Sequence, residues 1–522
     1  MVGVPGRSKG CNTCIQRKIR CDQETPLCSN CRKSNRLCTG YRRKLGYVFA
    51  PEVRLANRTK SGREEETTSV THQGRWRKAE PREAPLVECQ LKRAGILSWT
   101  ERLMSFSLPG RISAEPTMRQ QLHYLFLHQH LPAESRDANS SKSILPNDWL
   151  LQLRDVDMRS PALKTSTAAF FAARVARINN DQNLAHQSRS MYVDSLRQLQ
   201  DAMASPRTRL SDETLAACMA LSLYELTGSE GGTPGAYMAH MKGAMMLLEL
   251  RGPDASASPL GHSLFLDLRV HEIQRCLIQR HETFLSRPEW LAQPWKSLPK
   301  SPHDELFDTL FDLPAIFGKF DAVSRERDRS ILCAGLGEVI AKYLEIESVL
   351  QRMHQDFSKS VSGPLYWPEL STLESRLDNE ESGKLFPVSF RFSSFSVALT
   401  VTTYWSNMMV VRNQLGHAYN RLEARTSADD DSSSALPFLQ SSCERDSGWE
   451  FMAKNVCQSA EYFLQDHMGT LGPLSILSFL SGCFSCFGNN AGDWGREMYW
   501  ISDVMLQIKK KLGMTASTPL GG

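Results

Sequence analysis

The stretch GCNTCIQRKIRCDQETPLCSNCRKSNRLCTGY, residues 10–41, contains six of the fourteen cysteines of the chain. These six have the spacing C-x2-C-x6-C-x6-C-x2-C-x6-C and are Cys11, Cys14, Cys21, Cys28, Cys31 and Cys38. A shift of 17 residues carries the first three cysteines onto the last three. The stretch is therefore a duplicated C-x2-C-x6-C unit, and a repeat that preserves all three positions implies two equivalent ligand sets.

Three explanations of the six cysteines compete. A disulfide framework is disfavoured because the N-terminus has no apolar segment typical of a secretory signal, and because eight further cysteines are scattered along the chain. A single zinc ion would use four thiolates and leave the duplication unexplained. Two tetrahedral zinc ions need eight ligand positions, which six thiolates supply when two of them bridge both metals. Only this last explanation accounts for both the number and the repeat.

The segment is too small to fold on apolar packing alone. Its main apolar candidates are Ile15, Ile19, Leu27 and Leu37. The metal must therefore supply the folding free energy, as it does for small zinc modules generally. Each C-x2-C pair is followed by residues able to form a short helix, whose first amides can offset the charge of the thiolates.

The charge of the chain is concentrated at its N-terminus. Residues 1–50 hold eleven Lys and Arg against two acidic residues, a net charge of +9, whereas the remainder holds 51 basic and 55 acidic residues. A basic head on a slightly acidic body is typical of a polyanion-binding module joined to a second domain. The basic residues Arg17, Lys18 and Arg20 are not part of the repeat, because the 17-residue shift places them on uncharged residues.

The cysteine segment resembles a known family. Residues 10–22, the stretch Pro26-x-Cys28-x2-Cys31 and residues 38–41 are similar to the fungal Zn2Cys6 binuclear cluster transcription factors. The resemblance implies a module with two zinc ions and two short helices, in which Cys11 and Cys28 bridge the metals. The remaining ligands are then Cys14 and Cys21 for one zinc ion, and Cys31 and Cys38 for the other.

The resemblance also implies how this segment contacts double-stranded DNA. The end of the first helix enters the major groove, where Lys18 donates to guanine O6 and N7 of a CGG triplet. Five other residues suit phosphate contacts, which position a module without reading sequence: Arg17, Arg20, Arg32, Lys33 and Arg36. A nuclear, sequence-specific regulator of RNA polymerase II transcription is expected, with the transcription machinery or co-regulators as protein partners. The alternative is a zinc-stabilised interaction module that contacts protein and not DNA.

Composition divides the chain into three parts. We predict a DNA-binding domain over 1–45, a flexible, disordered linker over 46–115 and a large all-helical domain over 116–515. The linker is polar and irregular and contains no sustained apolar heptad. Family members that bind DNA as dimers often have a coiled coil there, so a homodimer is kept as an alternative.

The third part carries the signals of a mainly α fold. An N-cap with acidic residues in the first turn, Ser211-Asp212-Glu213, opens one helix, and Thr233-Pro234 opens the next, which ends before Gly252-Pro253. Further helices are predicted near 163–179, 184–204, 260–286, 328–357, 394–422, 449–467 and 496–512. Strand-like alternation is scarce.

The helical part resembles a second family. Residues 215–228, 240–252 and 461–464 are similar to the fungal-specific transcription factor regulatory domain in its second major form. The resemblance implies an all-helical domain that regulates activity through a small molecule or a partner. In filamentous fungi such proteins often control a secondary-metabolite gene cluster, and we expect a target of this kind.

No catalytic motif is convincing, and we expect no enzyme. His271-Glu272-Ile273-Gln274-Arg275 has Arg where a zinc protease helix needs its second His, and no Gly-rich phosphate loop is present. Cys483 and Cys486 are interpreted as buried helical thiols, and the methionines at 238, 241 and 245 as core. No run is expected to reach the ~18 apolar residues of a membrane span; residues 388–422 come closest, so we expect no membrane contact.

Overall fold

The computed structural model describes residues 14, 19, 21–22, 29–34, 115–135, 148–154, 157–227, 234–296, 298–378, 383–426, 448–490 and 492–514. The chain divides into two compact units, Met1–Glu80 and Pro81–Gly522. The first unit contains one helix within its described residues, α1 (Ser29–Lys33). The predicted linker over 46–115 lies almost wholly outside the described residues, and the predicted domain limits stay predictions.

The second unit is built from helices joined by short connections, which confirms the mainly α prediction. Its first half consists of α2 (Glu115–His130), α3 (Trp149–Gln152), α4 (Pro161–Asn179), α5 (Gln182–Ala204), α6 (Asp212–Thr227), α7 (Pro234–Arg251), α8 (Pro259–Gln279), α9 (Pro288–Ala292), α10 (Pro302–Asp308) and α11 (Leu313–Ser324). Its second half consists of α12 (Arg329–Ser360), strands β1 (Tyr366–Leu370) and β2 (Val388–Phe392), α13 (Phe395–Thr426), α14 (Trp449–Phe463), α15 (Leu471–Gly488) and α16 (Gly495–Leu512).

Side-chain caps fix where several of these helices begin. The Ser160 hydroxyl accepts from the backbone N–H of Leu163, and the Asp181 carboxylate accepts from two backbone amides at the start of α5. Ser258 caps α8 in the same way, with a proline at the first helical position. Such caps satisfy amides that have no partner inside the helix. These local signals explain why the predicted helix starts agree closely with the structure.

The hydrophobic core runs through the whole second unit, from Leu122 to Met514. Helix α6 lies near its centre, between α4 and α7, and residues 215–221 are buried on every side of it. In α7, Met241 and Met245 are buried, as predicted, but Met238 is 43% exposed. The core interpretation of Met238 is therefore wrong, because the helix turns that residue away from α6.

A two-stranded antiparallel hairpin interrupts the helices. β1 pairs with β2 so that Tyr366 lies opposite Phe392 and Leu370 opposite Val388. β2 packs on α14, with Ser389 and Phe392 buried, whereas β1 is the outer strand. Residues 388–422, which came closest to a membrane span in sequence, thus form a strand and most of a separate helix.

Helix α15 has the length and apolar composition of a membrane-spanning segment. Half of it is buried inside the second unit, where it contacts α13, α14 and α16. Leu477, Leu480 and Cys483 have none of their surface exposed. These contacts are typical of a core helix in a globular domain, although the sequence alone did not single out this segment.

Candidate metal centre and nucleic-acid interface

Two cysteines at equivalent positions of the repeat are fully buried. Cys14 and Cys31 are each 0% exposed, and Cys21 is half-buried. Cys31 belongs to α1, and Cys14 also has helical backbone geometry. Ile19 of the same segment is 39% exposed, so one of its few apolar side chains remains partly in contact with solvent. Burial of two thiols at equivalent positions is the arrangement expected of inward-facing ligands, although cysteine is also among the residue types most often buried in proteins.

Asp22 joins the end of the first half to the start of the second. Its carboxylate accepts from the backbone N–H of Ser29 at 2.9 Å and from the Ser29 hydroxyl as well. Ser29 begins α1, so a negative charge lies beside amides that lack helical partners. The sequence prediction did not assign this role; the only signal was an acidic residue directly after Cys21.

Ser34 closes the other end of α1. Its backbone N–H donates to the Asn30 carbonyl at 3.3 Å, and its hydroxyl donates to the same oxygen at 2.8 Å. In the first half the backbone N–H of Ile19, two residues beyond the position equivalent to Ser34, donates to the Cys14 carbonyl at 3.1 Å. The 17-residue shift places Ser34 on Arg17. Ser34 thus closes the helix of the second half, whereas the first half has the basic residue Arg17 at the equivalent position.

The structure describes only part of the predicted site. Of the metal ligands, Cys14, Cys21 and Cys31 are described, while Cys11, Cys28 and Cys38 lie outside the described residues. Of the DNA-contacting residues, Lys33 is exposed on α1, and the backbone of Arg32 precedes it. Four others lie outside the described residues: Arg17, Lys18, Arg20 and Arg36. The complete ligand set and the DNA contacts accordingly stay predictions.

The chemistry of the donor set fits zinc. Thiolate sulfur is a preferred ligand of Zn²⁺ in structural sites. Two of the described thiols are fully buried in a segment that offers little apolar surface, as inward-facing ligands would be. Within the residues that the structure describes, no three ligand side chains meet in one cluster, and half of the six cysteines fall outside that set.

The other residues that the sequence offered as candidates lie inside the helical unit. Cys483 and Cys486 are buried on α15, as predicted, and burial raises the pKa of the Cys486 thiol to about 12. The His271 ring nitrogen lies 3.2 Å from the Tyr237 hydroxyl. The Glu272 carboxylate accepts from Arg275 on its own helix at 2.7 Å and from Thr283 at 3.2 Å. These groups are satisfied inside the fold and form no open catalytic arrangement.

Comparison with known families matches both parts of the chain. Residues 9–47 match the fungal Zn(2)-Cys(6) binuclear cluster domain, and residues 139–324 match the fungal specific transcription factor domain. Each of the two parts of the chain is thus similar to one domain of the fungal Zn2Cys6 transcription factors. The first match covers all six cysteines, and the second extends over α3 to α11. Both are transcription factor families, and neither is an enzyme family.

Similar proteins occur in several fungi. "Uncharacterized protein AN5342" of Emericella nidulans is 30% identical over 152 residues, which make up 28% of this chain and 32% of the relative. "Transcriptional regulatory protein moc3" of Schizosaccharomyces pombe is 44% identical over 50 residues, 8% of this chain and 10% of the relative. "Adhesion and hyphal regulator 1" of Candida albicans is 59% identical over 29 residues, 6% and 5% of the two chains. The chain thus spans a third or less of the length of these relatives. No solved structure matches it.

Proposed function

We propose that this chain is a zinc-dependent, sequence-specific DNA-binding regulator of RNA polymerase II transcription that acts in the nucleus at CGG-type sites. The observation that carries the proposal is the duplicated six-cysteine segment, which lies wholly inside the residues that match the binuclear cluster domain. The second matched family adds a large helical domain, in keeping with a regulator that couples DNA binding to a further input.

Two zinc ions supply the fold of the DNA-binding segment in this proposal. The six cysteines hold them, with Cys11 and Cys28 as the bridging ligands. The equal burial of Cys14 and Cys31 supports two equivalent ligand sets, because these residues occupy the same position in the two halves. Bound zinc contributes the free energy that a segment with an exposed Ile19 cannot obtain from apolar packing.

Base reading falls to the first half of the repeat, while basic residues of both halves contact phosphates. Lys18 contacts guanine in the major groove, and Arg17 and Arg20 contact phosphates, as do Arg32, Lys33 and Arg36 from the second half. The exposure of Lys33 and the capping role of Ser34 support this division. The target genes of the proposal are those of a fungal secondary-metabolite cluster, an assignment that rests on the family resemblance and is tested by mapping bound sites across the genome.

The salt dependence of DNA binding tests the proposal against a co-regulator that contacts only protein. The zinc-loaded full chain is titrated onto a CGG-containing duplex and onto a scrambled duplex at increasing salt. We expect tighter binding to CGG, with an affinity for both duplexes that falls steeply as salt rises because phosphate contacts release counterions. Equal binding to the two duplexes at every salt concentration would favour the co-regulator.

A further inference from the structure

A groove of about 650 Å³ opens on the second unit where α8, α11, α13 and the end of α15 come together. Its volume is within the range of small-molecule sites. Arg280, which follows α8, and Asp321 and Ser324 of α11 form one wall, whereas His417 and Arg421 of α13 form the other. The matched family segment ends at residue 324, so the second wall lies outside it.

The first wall holds its charges in a fixed pair. The Arg280 guanidinium donates from Nε to the Asp321 carboxylate at 2.6 Å and lies 4.7 Å from the centre of the Phe317 ring. The backbone of Arg280 is left-handed, with φ 56°, where glycine is favoured. Arg280 therefore adopts a backbone conformation that arginine disfavours, and its positive charge balances the negative charge of the Asp321 carboxylate.

The second wall has a cation that no carboxylate of the described residues balances. Arg421 donates from its guanidinium to the Ser324 carbonyl at 2.6 Å, a neutral acceptor at the end of α11. Its Nε and the neighbouring Ser324 hydroxyl are buried without a hydrogen-bond partner within that part of the chain. Burial, assisted by the charge of Arg280, lowers the pKa of His417, so this ring is neutral at pH 7 and serves only as a hydrogen-bond group.

We propose that this groove binds a small organic acid whose carboxylate pairs with Arg421. A guanidinium has the geometry to hold a carboxylate, and that of Arg421 makes one hydrogen bond to the described residues, with the neutral Ser324 carbonyl. The amide of Asn420 is placed for a further hydrogen bond, while Phe320 and Ala424 offer apolar surface to the rest of the molecule. The inference is independent of DNA reading, because every residue that carries it belongs to the helical unit.

Benzoate and its uncharged counterpart benzamide test the proposal by calorimetric titration of the zinc-loaded full chain. We expect benzoate to bind with a dissociation constant in the millimolar range and benzamide to bind roughly tenfold or more weakly, since only benzoate forms a charge-assisted hydrogen bond. Arg421→Gln should lose benzoate binding by a similar factor. Arg352→Gln, which removes an exposed arginine of α12 away from the groove, is the matched control and should bind benzoate as the wild type does.

A second variant keeps the test decisive if Arg421→Gln fails to fold. Asn420 is exposed, so Asn420→Asp should fold normally while its negative charge repels the anion. We expect this variant to bind benzoate several-fold more weakly than the wild type and to keep its affinity for benzamide. The proposal is overturned if benzoate does not bind, if benzamide binds equally well, or if Asn420→Asp leaves benzoate affinity unchanged.

Discussion

Single residues show how the two halves of the cysteine repeat have diverged. The Ser34 hydroxyl donates a hydrogen bond to the Asn30 carbonyl at the end of α1, while the equivalent position in the first half is Arg17. Asp22 follows Cys21 and holds the start of α1, whereas the equivalent position after Cys38 is Thr39. The differences therefore fall outside the cysteines, so that the two halves keep the same ligand spacing while their other side chains take different roles.

Replacing Lys18 with alanine tests the assignment of base reading. A lost guanine contact costs about 1–3 kcal/mol of discrimination, so CGG-duplex affinity should fall roughly tenfold or more while scrambled-duplex affinity changes little. Fluorescence anisotropy titration of both duplexes measures the two affinities. The matched control is Lys33→Ala, which removes an exposed, phosphate-contacting lysine and should weaken both complexes alike. An equal loss on both duplexes with Lys18→Ala would remove this residue from the reading of bases.

Asp22→Ala tests the link between the two halves. The variant leaves the first amide of α1 without its acceptor, and the loss of such a cap costs about 1 kcal/mol. Since folding and metal binding are coupled in this segment, zinc should be released at a lower chelator concentration, which a chromogenic chelator detects. Asp22→Asn retains an acceptor oxygen and should keep most of the zinc affinity. Identical release curves for Asp22→Ala and the wild type would show that the cap contributes nothing.

At the scale of elements, a buried carboxylate attaches the hairpin region to α14. Glu461 is 7% exposed and accepts from the Ser371 and Thr372 hydroxyls, each at 2.8 Å, and from the Arg391 guanidinium at 3.0 Å. Burial by itself would raise the pKa of Glu461, but the hydrogen bonds from the Ser371 and Thr372 hydroxyls and from two backbone amides outweigh it and hold the pKa below the usual range. The charged form is thus part of the folded structure.

The lowered pKa of Glu461 predicts sensitivity to acid. A group whose folded pKa is depressed contributes stability above its unfolded pKa, about 4.3 for glutamate, and loses it as pH falls through the folded value. Glu461→Gln should lower the free energy of unfolding at pH 7 by roughly 1–3 kcal/mol and reduce its decline in acid. Urea unfolding at pH 7 and pH 4 measures both effects. An unchanged acid decline in this variant would exclude Glu461 as its source.

Most helices could be predicted from sequence because their signals are local. Ser258-Pro259 is a cap and a first-turn proline, and it marks the start of α8 to within a residue. Its end was predicted too late, since Arg280 takes the left-handed conformation that glycine usually signals. β1 was missed because it contains Pro368 and because its partner strand follows only after a long connection. Pairing at that distance depends on the packing of β2 against α14, which no local pattern reveals.

Only the end of helix α15 around Cys483 and Cys486 was predicted, and its full extent was missed for a different reason. Its apolar, serine and glycine residues follow no clear one-sided pattern, because neighbours on several sides bury it. Sequence periodicity detects helices whose solvent face is polar, and the less buried face of this helix also carries apolar residues such as Phe484. The organic-acid groove was beyond prediction as well, since it unites Arg280 with Arg421 across 141 positions of the chain. The cysteine segment was predictable because its spacing alone fixes the ligand count.

At the scale of the whole molecule, the two units are stabilised in different ways. The core that runs from Leu122 to Met514 includes none of the described residues of the cysteine segment. Within the described residues, the first unit offers buried thiols in place of an apolar core. Loss of metal should therefore unfold one unit and spare the other, which is the behaviour expected of a chain that joins a metal-folded module to a core-folded one.

Chelation of the zinc-loaded full chain tests this separation. We expect native mass spectrometry to count two zinc ions before treatment and none after it, with CGG-duplex binding lost. Far-ultraviolet circular dichroism and the main thermal unfolding transition should change little, because α2 to α16 draw their stability from their own core. Cys31→Ser provides a genetic counterpart, since it removes one buried ligand and should abolish DNA binding without altering the main transition. A count of one zinc ion would contradict the bridged two-metal arrangement, and collapse of the helical signal on chelation would show that the helical unit depends on the metal.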